Sequence, residues 1–253
     1  MSQNAAKLPE PKPLQGGVCF EEQDFVSLSD AMCANPEANA RRLMLRRKLL
    51  TLGKAVAKEA GLECRTSIHN PHAFNGNRVR RIWAYVTRSK AEKRKLKSVL
   101  GAELAKDLDA AYKNAYLCLA VEAEALEVSL RIHPDGWYDG QNLKNKVERS
   151  EAGLRGWLEE LNRLDGFLLR IDDWKGEWRC GELTVDRLEE FLSYYTPGEH
   201  RLTVERRWPA PAGNRGPALE PVAAEGMRAE VLRLVPLLAF TGWGPENDHL
   251  FSS

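Results

Sequence analysis

Residues 116–133 constrain the fold more than any other stretch of this sequence. Leu117, Leu119 and Val121 alternate with smaller or polar residues. Leu126, Val128, Leu130 and Ile132 then alternate with Glu127, Ser129, Arg131 and His133. A period of two places one set of side chains on each side of a pleated strand. Two such runs joined by a short connection predict an antiparallel hairpin with one apolar and one polar face.

Two further strand pairs are expected. Residues 62–68 and 79–87 flank HNPHAFNGNR, where Asn75-Gly76 is a strong turn signal. Residues 167–171 and 178–183 flank Lys175-Gly176. A last strand is expected at 200–207. Helices are predicted between these pairs. In 38–60, Leu45, Leu49, Leu52 and Val56 form one stripe ahead of Gly61. From a Ser89 cap to about residue 112, Leu96, Val99, Leu100, Leu104 and Leu108 point inward. Residues 143–164 carry Leu143, Val147, Leu154, Leu158 and Leu161 on one stripe. Thr184 caps a short helix, and 222–240 is kinked or ended near Pro236. The fold class is therefore α+β: a mostly antiparallel sheet built from repeated helix–hairpin units, with helices packed on it. Residues 1–20 read as a disordered leader and 21–253 as a single domain, with 113–115 the point where it could divide. Residues 208–221 form a Pro/Gly-rich loop.

No apolar run approaches the ~20 residues of a membrane helix, so no membrane partner is expected. The five cysteines are scattered without a CxxC pair, which argues against a disulfide framework or a thiolate zinc site and predicts a cytoplasmic setting. GxGxxG and GxxxxGK[ST] are both absent, so no dinucleotide or P-loop nucleotide site is predicted.

Charge is unevenly placed. The chain's net charge is +1, but residues 41–100 hold seventeen Lys/Arg against Glu59, Glu63 and Glu92, a local net of +14. A block of this kind attracts phosphate backbones. It predicts a polyanion-binding, nucleic-acid-binding protein, with Arg47, Lys54, Lys58, Arg78, Arg80 and Arg81 as the contacts. The alternative is neutralisation, either by the acidic remainder of the same fold or by an acidic protein surface in an assembly. Arg81, Trp83 and Tyr85 share one face of the 79–87 strand, giving either a stacking platform for a single strand or a surface packed beneath a helix.

The stretch RIHPDGWYDGQNLKNK, 131–146, is the other candidate. Pro134-Asp135-Gly136 is turn grammar, and Asp139 or Asn142 suits a helix cap. His133, Asp135 and Asp139, assisted by Lys144, also supply groups for proton exchange or a divalent metal. The order resembles that of metal-dependent nucleases, although Asn142 is neutral where a carboxylate is wanted. His69 and His72, joined by His133 from the neighbouring hairpin, are the remaining metal candidates.

Overall fold

The computed structural model describes residues 17–172, 174, 176–211, 217–219 and 222–251. The leader read at 1–20 therefore falls largely outside the described residues, as do 212–216, 220 and 221 of the loop read at 208–221, Lys175 and the side chain of Leu104; Trp208 and Pro209 of that loop instead end the last strand.

In chain order the elements are α1 (Glu22–Val26), α2 (Asn39–Ala60), β1 (Glu63–Thr66), β2 (Arg81–Thr87), α3 (Lys90–Ala105), β3 (Tyr116–Glu122), β4 (Ala125–Ile132), α4 (Trp137–Glu148), α5 (Glu151–Asn162), β5 (Leu168–Ile171), β6 (Trp178–Arg179), α6 (Val185–Tyr194), β7 (Leu202–Pro209), α7 (Ala223–Arg233) and α8 (Val235–Thr241). The strands form one antiparallel sheet in the order β1-β2-β3-β4-β7-β5-β6. The class is α+β. The sheet passes residues 113–115 unbroken, since β2 pairs with β3. β7 inserts between β4 and β5, pairing Ala125 with Pro209 and Ile132 with Leu202 on one side and Ile171 with Leu202 on the other.

Alternation determines which way the sheet faces. Ile82, Ala84 and Val86, Leu117, Leu119 and Val121, and Leu126, Val128 and Leu130 are almost wholly excluded from solvent. The α2 stripe of Leu45, Leu49, Leu52 and Val56 packs into the same core. Gly53 lets the α2 backbone lie against Cys64 and Ala84; a Cβ there would sit 2.5 Å from Cys64 Sγ and 3.1 Å from Ala84 Cβ. A smaller core of Leu96, Leu108, Tyr138 and Trp243 lies apart from the main one.

Two helices differ from the sequence reading, and a third breaks beside its proline as expected. The helix expected over 143–164 starts earlier, at Trp137, and is two helices, because Ser150 leaves helical geometry and its Oγ caps Gly153 N of α5. The helix expected from Ser89 to about 112 is interrupted at Gly101 (φ 75°), resumes to Ala105 and gives way to short 3-10 turns from Lys106. In the last helix Pro236 sits in the first turn of α8, where its missing N–H costs nothing. No helix among the described residues is long and apolar enough to cross a membrane.

Candidate anion-binding face of the sheet

The face opposite the core carries Arg81, Trp83 and Tyr85 from β2, Tyr116 and Cys118 from β3, Glu127, Ser129 and Arg131 from β4, Arg170 from β5, and Thr203, Glu205 and Arg207 from β7. Register makes them neighbours: Tyr85 lies opposite Cys118, Cys118 opposite Ser129, and Ser129 opposite Glu205. Arg131 lies opposite Tyr116 on one side and Thr203 on the other, and Thr203 lies opposite Arg170. Cys118, Ala120 and Ser129 place small side chains in the middle of the face, with large ones around them. Two adjoining depressions lie on it. The smaller, about 150 Å³, is lined by Arg81, Trp83, Tyr116, Cys118, Arg131, His133 and Arg201. The larger, about 320 Å³, shares Arg81, Arg131 and Arg201 and adds Arg170, Asp172, Thr203, Glu205 and Arg207. Among the described residues, only strands and their immediate flanks line them; no helix does.

A buried carboxylate holds the arginines in place. Glu127 Oε1 accepts from Arg81 Nη2 (2.9 Å), Arg131 Nη2 (2.6 Å) and Ser129 Oγ (2.7 Å), and Oε2 accepts from Arg207 Nη1 (2.9 Å). Burial by itself pushes the Glu127 carboxyl upward. The charges of Arg81 and Arg131 and the hydrogen bonds from Ser129 and Arg131 outweigh it and bring it down to about 2. Glu205 goes the other way: burial and the charge of Glu127 raise it, against the pull of Arg207, Arg131 and Arg170. Glu122 pairs with both Arg81 and Arg207. Among the described residues, the Arg201 guanidinium has no carboxylate within 4 Å; only its backbone is fixed, with its N–H donating to Asp172 Oδ1 and its carbonyl accepting from Asp172 N–H. The aromatic rings are half-buried. Arg81 lies 5.8 Å from the Trp83 ring centroid, and Tyr85 meets Tyr116 edge-on at 6.3 Å.

The six basic residues singled out from the sequence do not share one surface. Arg47, Lys54 and Lys58 are exposed along the outer side of α2, and Arg78 and Arg80 precede β2, Arg80 pairing with Asp30. Only Arg81 lies on the open face. Much of the 41–100 charge is neutralised or hydrogen-bonded inside the fold. Arg41 and Lys48 meet the buried Asp24, Arg42 donates to the carbonyls of Cys33 and Asn35, Arg65 and Lys93 meet Glu63, and Arg88 meets Asp139. Trp83 and Tyr85 stand on the face away from α2, not beneath it.

The 131–146 candidates separate too. His133 Nδ1 accepts the Asp135 N–H at 3.1 Å and lies 3.5 Å from the Asp135 carboxylate. Asp139 is fully buried: Oδ1 accepts from Arg88 Nη2 (2.8 Å) and Trp243 N (2.7 Å), and Oδ2 from Ala115 N (2.7 Å). Asn142, Asn145 and Lys146 hold the segment after α8, at His249 N, His249 O and Asn247 Oδ1. Lys144 Nζ donates to the Tyr195 carbonyl at 2.7 Å, beyond the end of α6. The polar richness of this stretch therefore ties distant chain segments together. His72 Nδ1 caps Phe74 N, and His69 sits apart, pushed down by burial and by Arg46, Arg42 and Arg47. Among the described residues no group of three or more His, Cys, Asp or Glu is placed to hold a metal.

No protein-family model matches the chain, and no curated protein does either. Function must therefore be read from the site itself. Arg131, Arg170, Arg201 and Arg207 were not singled out by sequence reasoning. Arg131 carried a signal, its place on the polar side of β4, but the other three depend on where β5 and β7 dock.

Proposed function

We propose that this protein binds a polyanion, single-stranded nucleic acid, and that it does so on the open face of the sheet. The observation that carries this reading is the gathering of five arginines and three aromatic rings on one sheet face. Guanidinium groups supply planar, paired donors for phosphate oxygens. Trp83, Tyr85 and Tyr116 offer ring surface to bases, which stack without regard to sequence. Held by Glu127, Arg81, Arg131 and Arg207 lose little side-chain freedom when a ligand arrives. An acidic peptide would meet the same charges but has no bases for the rings, and the rings favour nucleic acid.

Fluorescence anisotropy with a labelled single-stranded oligonucleotide across a salt series tests this. With three arginine–phosphate contacts, log K falls against log salt with a slope of about −2, each contact on a single strand adding roughly 0.7. Arg201→Gln, which breaks no ion pair among the described residues, weakens binding at low salt, and Trp83→Ala weakens it by ~1–3 kcal/mol. Absence of binding at low salt overturns the reading. So does a loss of binding on substituting Arg47, Lys54 and Lys58 that is not matched by Arg201→Gln.

A further inference from the structure

The two depressions differ in the charges that line them. Three guanidiniums and no carboxylate face the smaller one, those of Arg81, Arg131 and Arg201. In the larger, Asp172 and Glu205 are interleaved with the arginines. A phosphate placed in the larger depression meets two carboxylates; in the smaller it meets none.

The donors that remain free point the same way. Arg81 commits Nη1 to Glu122 (3.1 Å) and Nη2 to Glu127 (2.9 Å). Arg131 directs Nε and Nη2 to Glu127 and Ser129, which leaves Nη1 without a partner among the described residues. Arg201 keeps its whole guanidinium clear of carboxylates among those residues. His133 accepts at Nδ1 from the Asp135 N–H, so its neutral ring carries a proton on Nε2, a further donor at the rim. Trp83 and Tyr116 complete the wall with ring surface.

Resting on the nucleic-acid reading above, we infer that the smaller depression is the seat of a phosphomonoester: the terminal phosphate of a strand, with the terminal base against Trp83 or Tyr116. A phosphodiester carries one negative charge. A monoester carries close to two above its second pKa of about 6, and its attraction to each guanidinium grows in proportion. A diester would leave more of the guanidinium charge uncompensated than a monoester does. The carboxylates next door suit the nucleoside attached to a terminal phosphate, because they accept from ribose hydroxyls and base amino groups. A free nucleoside monophosphate presents the same chemistry.

The test compares one oligonucleotide of about twelve nucleotides, within the usual range of strand-binding footprints, carrying a 5′-phosphate, a 3′-phosphate or only hydroxyl ends. A nucleoside monophosphate serves as competitor. We expect one phosphorylated end to bind about tenfold more tightly than the hydroxyl form at a pH near 7.5, with the gap shrinking toward a pH of about 5 as the monoester loses its second charge. Arg201→Gln abolishes the preference while Lys54→Gln leaves it. Equal affinity for all three oligonucleotides overturns this inference and leaves nucleic-acid binding standing. Failure of all three oligonucleotides and of the nucleoside monophosphate to bind overturns both. Binding of the nucleoside monophosphate with no oligonucleotide binding upholds the monoester seat and overturns the strand as its source.

Discussion

At the scale of single residues, Glu127 is the hinge between stability and function. It is buried, it neutralises part of an otherwise repulsive arginine cluster, and its carboxyl is brought from an ordinary 4.5 to about 2. A carboxylate depressed on folding contributes stability above its unfolded value, and the contribution is lost as pH falls toward the folded value. Stability assigned to Glu127 is therefore complete above a pH of roughly 4.5 and drains away between there and about 2. Glu127→Gln is expected to lower stability at neutral pH by ~3–5 kcal/mol, the range for breaking a buried charge pair, and to flatten the acid limb of the pH profile; urea unfolding at several pH values measures both. A variant as stable as the parent, with the same acid limb, would show that the arginines hold themselves apart without it. Little of this cluster is visible in the sequence. Alternation along 126–133 reveals that Glu127, Ser129, Arg131 and His133 share the polar side, but Arg207 is 80 positions away and reaches Glu127 only because β7 docks on β4. The 131–146 stretch misleads for the same reason: Asp139 looks available until Arg88 and Trp243 are brought onto it.

At the scale of elements, local chemistry was the better guide. The α2 stripe, the Gly61 stop in left-handed geometry (φ 69°), the hairpin of β3 and β4 and the Thr184 cap are all written in adjacent residues. The break between α4 and α5 is harder to see, because Leu143, Val147 and Leu161 keep a helical spacing across it and only Ser150, the cap of α5, marks it. The two helices then meet closely: a Cβ on Gly153 of α5 would sit 2.0 Å from the Lys146 carbonyl oxygen. Gly153→Ala therefore costs stability, although alanine ordinarily favours a helix by ~1 kcal/mol. We expect a net loss of ~1–3 kcal/mol, the usual range for overpacking, read as a lower midpoint in chemical denaturation. An unchanged or raised midpoint would mean that the two helices can move apart at no cost.

At the scale of the whole molecule, the segment after α8 works as a strap. Trp243 enters the second core, its backbone meets Asp139 and Arg88, and the residues beyond it are held by Asn142, Asn145 and Lys146 of α4. Trp243→Ala is expected to cost ~3–5 kcal/mol, with amide exchange speeding up at Ala115 and across α3 before the main sheet is affected. Uniform exchange across the sheet and α3 would instead indicate one cooperative unit. The placement of β7 carries a consequence for the chain as it is made. Residues 125–132 leave the ribosome long before 202–209, and in the interval β4 has a bare row of amides and carbonyls where β7 will lie. The arginine face is then half assembled, with Arg131 present and Arg207 still to be translated. Synthesis thus passes through a stage with an open strand edge at the middle of the future sheet, and this is the stage at which a nascent chain most needs shielding from its neighbours.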